Sequence, residues 1–153
     1  MILDGNYVAS IKLEDLKRRI KNLQSIHRIP KLAILVVGNN ADSIMYINMK
    51  KKKCIELGIH VIVYEYNNDL NESIILSTIN KLNTDISIHG ILIQLPLPIQ
   101  FNSDVLINSI DPLKDVDGIT TVSIGKLCHN LHTFISSTAR GCIELLDYYN
   151  LIN

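Results

Sequence analysis

Tyr46 and Lys50 stand four residues apart in SIMYINMKKKK, which makes them neighbours on one face of any helix that segment forms. Lys50, Lys51, Lys52 and Lys53 follow one another, so they cannot all point the same way. Left in water, the run is a solvated basic face with Tyr46 as a partly covered aromatic beside it. Turned inward, one of these lysines loses hydration and feels like charges a turn away. Both effects favour the neutral amine, the form that acts as a general base. Gln94 closes HGILIQ just before Pro96 and Pro98. Its amide either caps backbone groups or accepts from a lysine while donating to a ligand or a water. The prolines stiffen that turn, and an X–Pro bond is where a cis peptide is expected if there is one. Asp115 and Asp117 flank Val116 in KDVDG. Beside Gly118 they read as a tight turn, or as a two-carboxylate metal loop with no further acid nearby. A third reading is a buried carboxylate gripping a heterocycle with adjacent ring N–H and amino donors, the edge a pterin or guanine presents.

Positioning these groups falls to an alternation of helices and strands. Leu13, Leu16, Ile20, Leu23 and Ile26 recur every three or four residues and predict an amphipathic helix stopped by Pro30. LAILVVG is apolar without a break, as in a strand covered on both faces of a parallel sheet. Ser43 is expected to cap a helix from Ile44 to about Leu57, ended by Gly58. His60–Tyr66 reads as a second strand, Asn71 as the cap of a helix through Leu82, and His89–Gln94 as a third strand that QLPLP breaks. Ser103–Ile110 and Ala139–Tyr149 read as further helices, with DPLKDVDG as a loop. Helices between strands predict an α/β fold: a single domain built as a three-layer, mostly parallel sheet with helices on both faces. Ligands of such sheets sit outside the carboxyl ends of the strands, where the loop after the first strand, QLPLP and DPLKDVDG all arrive.

Composition narrows the classes. The chain has 153 residues, 15 Lys plus Arg against 15 Asp plus Glu, and 47% hydrophobic residues. That is enough for one core and is wrong for a disordered chain. The even charge disfavours nucleic acid and anionic lipid as partners. Cys54, Cys128 and Cys142 form no C-x-x-C pair, which fits a reducing compartment. Apolar runs are strand-sized and no secretory leader is read, so a soluble, cytoplasmic protein is expected. The five histidines lack metal-ligand spacing, His129 and His132 reading as surface residues, and no metal is expected. G-x-G-x-x-G and the P-loop pattern are both missing.

ILDG, LAILVVGNNADSIMYINMKKKKCIELGI, GILIQLPLP and DPLKDVDGITTVSIGKL occur in one order and cover the chain almost end to end. Together they resemble the bifunctional methylenetetrahydrofolate dehydrogenase/methenyltetrahydrofolate cyclohydrolase family. The resemblance implies a folate enzyme of one-carbon metabolism that oxidises methylenetetrahydrofolate with NADP, hydrolyses the methenyl product to formyltetrahydrofolate, and so serves purine biosynthesis. It implies Lys50 as the catalytic lysine, Gln94 as its hydrogen-bond partner, and Tyr46 stacked on the aminobenzoyl ring. Asp117 would receive the pterin amino and ring N–H groups, with Pro96, Pro98 and Ser43 lining the substrate side. NADP would be held by a second, Rossmann-type domain that these 153 residues do not include. Residues 1–135 are then the folate-binding catalytic domain, and 136–153 a hinge with the start of a linker helix. Ser136-Ser137-Thr138-Ala139 stand where the family usually has Pro-Cys-Thr-Pro, and losing two prolines loosens such a hinge. Expected partners are the folate substrate, a second copy in a homodimer and, if the enzyme is split, a separately encoded NADP-binding half. The competing reading is a truncated or split remnant that at most binds folate.

Overall fold

The computed structural model describes residues 2–152. In chain order the elements are α1 (Gly5–Ser25), β1 (Lys31–Val37), α2 (Ala41–Leu57), β2 (His60–Tyr66), α3 (Glu72–Thr84), β3 (Gly90–Ile93), α4 (Ser103–Asn108), α5 (Thr121–Cys128) and α6 (Ser137–Tyr148). The unbroken apolar run of β1 makes it the centre of the sheet. It pairs in parallel with β2 along its whole length and with β3 from Leu32 to Leu35, in the order β2-β1-β3.

Strand alternation divides the core into two layers. Ala33, Leu35 and Val37 of β1 join Ile91 and Ile93 of β3 against Ile75, Ile79 and Leu82 of α3 and Leu106 of α4. Ile34, Val36 and Leu92 point the other way, onto Ile47 of α2. Helices therefore cover both faces, and the predicted three-layer parallel α/β arrangement is the observed one. α1 runs beside α2 and α6, tied to α6 by the Lys12–Glu144 ion pair and by Tyr7 meeting Tyr148 edge-on at 6.0 Å.

Three local expectations need correction. Asn40, not Ser43, caps α2: its side-chain oxygen accepts from the Ser43 N–H at 3.0 Å, and Ser43 is a buried residue of the first turn. Asn and Ser cap about equally well, and Asn40 has the extended backbone the cap position requires. α5 lies where no helix was predicted. Its Val122, Ile124 and Leu127 face solvent while Ser123 is buried, so it has no inward apolar stripe to betray it. α6 starts at Ser137 rather than Ala139. Asn71 does cap α3, its side chain accepting from Ser73 N–H at 2.9 Å.

Candidate functional site

β2 and β3 lie on opposite sides of β1, so the chains leaving β1 and β3 diverge and open a crevice at the carboxyl edge of the sheet. α2 sets the first wall. Ser43, Ile47, Lys50 and Cys54 recur at helical spacing on its inner face, the first two buried and the last two half-buried. Lys51, Lys52 and Lys53 are exposed, and Lys53 pairs with Glu56 at 2.8 Å. A single lysine of the four thus turns inward.

Lys50 Nζ donates to Gln94 Oε1 at 3.2 Å. Gln94 is held for this contact from two sides. Its backbone N–H donates to the Leu35 carbonyl at 2.8 Å, and its side-chain Nε2 donates to the Leu95 carbonyl at 2.8 Å, which leaves the amide oxygen facing the lysine. The Leu95–Pro96 peptide that follows is cis. Pro96 is exposed and Pro98 half-buried along this turn. Tyr46 keeps 53% of its surface open, one turn before Lys50. Burial pushes the Cys54 thiol pKa up, and the Lys50 charge one turn away opposes that rise.

KDVDG supplies the second wall. Ile91 N–H donates to the Lys114 carbonyl at 2.8 Å and Ile91 bridges Asp115 in parallel, so the segment runs beside β3. Lys114 Nζ donates to the carbonyls of Leu82 and Asp85 at 2.7 and 2.8 Å, capping the end of α3. Asp115 is 1% exposed and belongs to the scaffold. It accepts from Ile119 N–H at 3.2 Å, Thr120 N–H at 2.9 Å and the Ser123 hydroxyl at 2.7 Å. Burial pushes its pKa up, but these donors together outweigh burial and hold it below the usual carboxylate value. Asp117 is half-buried and its carboxylate has no donor among the described residues. Burial pushes its pKa up; the Lys50 charge opposes that, and Asp115 reinforces it. Lys50 and Asp117 therefore sense each other across the crevice without a direct ion pair.

The structure brings Lys50 and Gln94 into contact, sets Asp117 within their field, and places Tyr46 at the exposed rim. Ser43 lies deeper, under the start of α2. His129 and His132 are exposed, as predicted, and no group of three potential metal ligands occurs among the described residues. Residue types alone did not show that Lys114, Asp115, Thr120 and Ser123 anchor the second wall. The S/T-x-x-S spacing of Thr120 and Ser123 was the one local signal of a cap.

The domain is a parallel α/β unit with a lysine–glutamine pair and a half-buried carboxylate without a protein donor at its switch point, the place where ligands of open parallel sheets sit. Residues 3–117 match the catalytic domain of the tetrahydrofolate dehydrogenase/cyclohydrolase family, and the chain belongs to that family. The bifunctional protein FolD of Helicobacter pylori (strain HPAG1) is 40% identical over 152 residues, covering 99% of this chain and 52% of that protein. The crystal structure of the bifunctional FolD enzyme from Campylobacter jejuni superposes with a TM-score of 0.96 at 38% identity, covering 99% of this chain and 54% of that one. A Trypanosoma brucei FolD, solved with NADP cofactor and inhibitor, gives a TM-score of 0.91 at 25% identity, over 98% of this chain and 52% of that one. The chain spans about half the length of the relatives it matches.

Proposed function

We propose that this chain is the folate-side catalytic domain of a methylenetetrahydrofolate dehydrogenase/methenyltetrahydrofolate cyclohydrolase. The observation that carries the reading is the Lys50–Gln94 hydrogen bond at 3.2 Å, facing a half-buried Asp117 carboxylate that lacks a donor. Asp117 receives the pterin amino and ring N–H groups, which replace solvent at a carboxylate that no protein donor occupies among the described residues. Tyr46 stacks on the aminobenzoyl ring, and Pro96, Pro98 and Ser43 shape the wall around it.

The methenyl carbon is electrophilic, so hydrolysis needs orientation, a base and a dry wall more than activation. Water bonds to that carbon and gives a proton to the Lys50 amine in its neutral form, the form a general base requires. One of the two carbon–nitrogen bonds then opens with its electron pair going to the nitrogen, the proton of the added hydroxyl passes to that nitrogen, and the formyl product forms. Gln94 holds the lysine nitrogen on the reacting side by accepting from it, so Lys50 and Gln94 are the catalytic pair, with Tyr46 aligning the substrate.

NADP, when bound, would supply the hydride acceptor of the oxidation, and the residues of this chain do not fit it. The turn from β1 into α2 is closed by the Asn40 side chain on Ser43 N–H, and Asp42 puts a carboxylate in the first turn, where a pyrophosphate would sit. We therefore assign residues 1–135 to the folate-binding unit and 136–153 to the hinge leading toward a cofactor-binding half, on the same or a separate polypeptide. Homodimer formation, cytoplasmic residence and a role in purine biosynthesis belong to the same reading. Free Cys54, Cys128 and Cys142 agree with a reducing compartment.

The test is loss of methenyltetrahydrofolate absorbance with the purified 153-residue chain, beside an NADP-reduction assay with methylenetetrahydrofolate. Slow hydrolysis without NADP reduction is expected; NADP reduction at the rate of an intact enzyme contradicts this assignment.

A further inference from the structure

Val116, between the two aspartates, turns toward the sheet. It packs with Leu32, Val61 and Val63 against Ile34, Val36, Ile47 and Leu92. One of its methyl groups fills the space that a side chain at Gly90 would occupy. A Cβ added at Gly90 would lie 2.5 Å from Val116 Cγ1 and 3.4 Å from Leu32 Cδ1. Gly90 is buried at the first position of β3, with its backbone opposite Leu32. Valine has a single side-chain torsion, stiffened by branching, so the methyl leaves the notch only if the Val116 side chain turns or its backbone shifts.

The main chain is fixed at the same level. The Ile91 N–H reaches the Lys114 carbonyl at 2.8 Å, just upstream of Val116. Beyond Asp117, Gly118 adopts φ +62° with the Phe134 carbonyl oxygen only 2.6 Å from where its Cβ would be. Asp117 thus stands between two close approaches, each of which depends on a glycine.

We infer that Gly90 is a positioning residue for Asp117: its missing side chain is the notch into which Val116 locks, and that lock sets where the Asp117 carboxylate stands relative to Lys50 and Gln94. The consequence for ligand binding rests on the folate reading of the site, whereas the lock itself does not. A methyl group added at Gly90 must displace Val116, and Val116 carries Asp117 as the next residue. Removing the Val116 methyls makes room for it again, so the two substitutions compensate.

Tetrahydrofolate affinity and the carbon-NMR titration of the Asp117 carboxyl should be measured for wild type, Gly90→Ala, Val116→Ala and the double variant. Gly90→Ala should move the Asp117 titration toward that of an exposed aspartate and weaken tetrahydrofolate roughly tenfold, the scale of one displaced charge-assisted bond. The double variant should recover most of both. If Gly90→Ala fails to fold, Val116→Ala alone carries the test, and it should shift the titration and weaken binding severalfold. The inference is overturned if the folded Gly90→Ala variant keeps both wild-type values, if the double variant recovers neither, or if Val116→Ala changes nothing. If wild type fails to bind tetrahydrofolate while the Asp117 titration still moves and recovers, the lock stands and the folate reading falls.

Discussion

Asp115 and Asp117 sit two residues apart in one turn and are treated in opposite ways. Asp115 is enclosed by three donors, from Ile119, the α5 cap Thr120 and Ser123, and these hold its pKa down against burial. Asp117 is half-buried with no donor among the described residues, and burial pushes its pKa up. The fold saturates the acid that builds the wall and leaves its neighbour short of hydrogen bonds. The Asp117 oxygens are still reached by solvent, so a ligand carrying two N–H groups would there replace water rather than fill an empty acceptor. The same division runs through α2, where Lys53 is paired with exposed Glu56 while Lys50 is committed to Gln94.

Substitutions can break this contrast or sharpen it. The largest effect is expected from Lys50→Met, which should cut methenyltetrahydrofolate hydrolysis by about 10²–10⁴-fold, the usual reach of a positioned proton-transfer group. Its melting temperature should stay close to wild type, because the Lys50 side chain is not part of the core; calorimetry beside the absorbance assay checks both. Normal turnover would remove Lys50 from the chemistry.

Asp117→Asn should weaken tetrahydrofolate binding by about 1.5–3 kcal/mol through loss of a charge-assisted pair. It should leave stability unchanged or slightly raised, since a desolvated charge is removed. Asp115→Asn should do the reverse in kind. It puts an amide N–H among donors that need an acceptor, so unfolding in urea should show a loss of about 1–3 kcal/mol. Equal effects of the two variants on stability would erase the distinction drawn here.

The smallest effect is in the pH dependence of stability, and the two acids carry opposite signs. Asp115 has a folded pKa below its unfolded value, so its contribution is present above about pH 4 and is lost as the pH falls through the lowered value. Asp117 has a folded pKa above its unfolded value, so the folded state loses stability as the pH rises from about 4 through the raised value. Urea unfolding from pH 3 to 8 should show the second slope vanish in Asp117→Asn.

Much of the scaffold was legible because its signals are local. LAILVVG suits a strand covered on both sides, and the four-residue step from Tyr46 to Lys50 puts both on one helical face. Helical geometry shows only that the four lysines cannot all point the same way; that Lys50 alone turns inward is read from the structure. What stayed hidden depends on contacts between distant segments or on exposed apolar residues. Val122, Ile124 and Leu127 gave no helical stripe because they face solvent, so α5 was missed. Asn40 and Ser43 are equally good caps, and the choice between them lies in the backbone of the turn. Two acids around Val116 look alike in the sequence; Ile119, Thr120 and Ser123 decide which one is enclosed. The notch at Gly90 is filled by a side chain from the following loop, which no periodicity reveals.

Titration of tetrahydrofolate onto the 153-residue chain and its Asp117→Asn variant, followed by calorimetry, bears most directly on the claim that the donor-free acid opposite Lys50 and Gln94 is a pterin grip. Saturable binding to wild type that is weakened at least tenfold by Asp117→Asn, in a variant that melts no lower, is the predicted result. Absence of saturable binding to the folded wild type, or identical affinity in the two proteins, would contradict it.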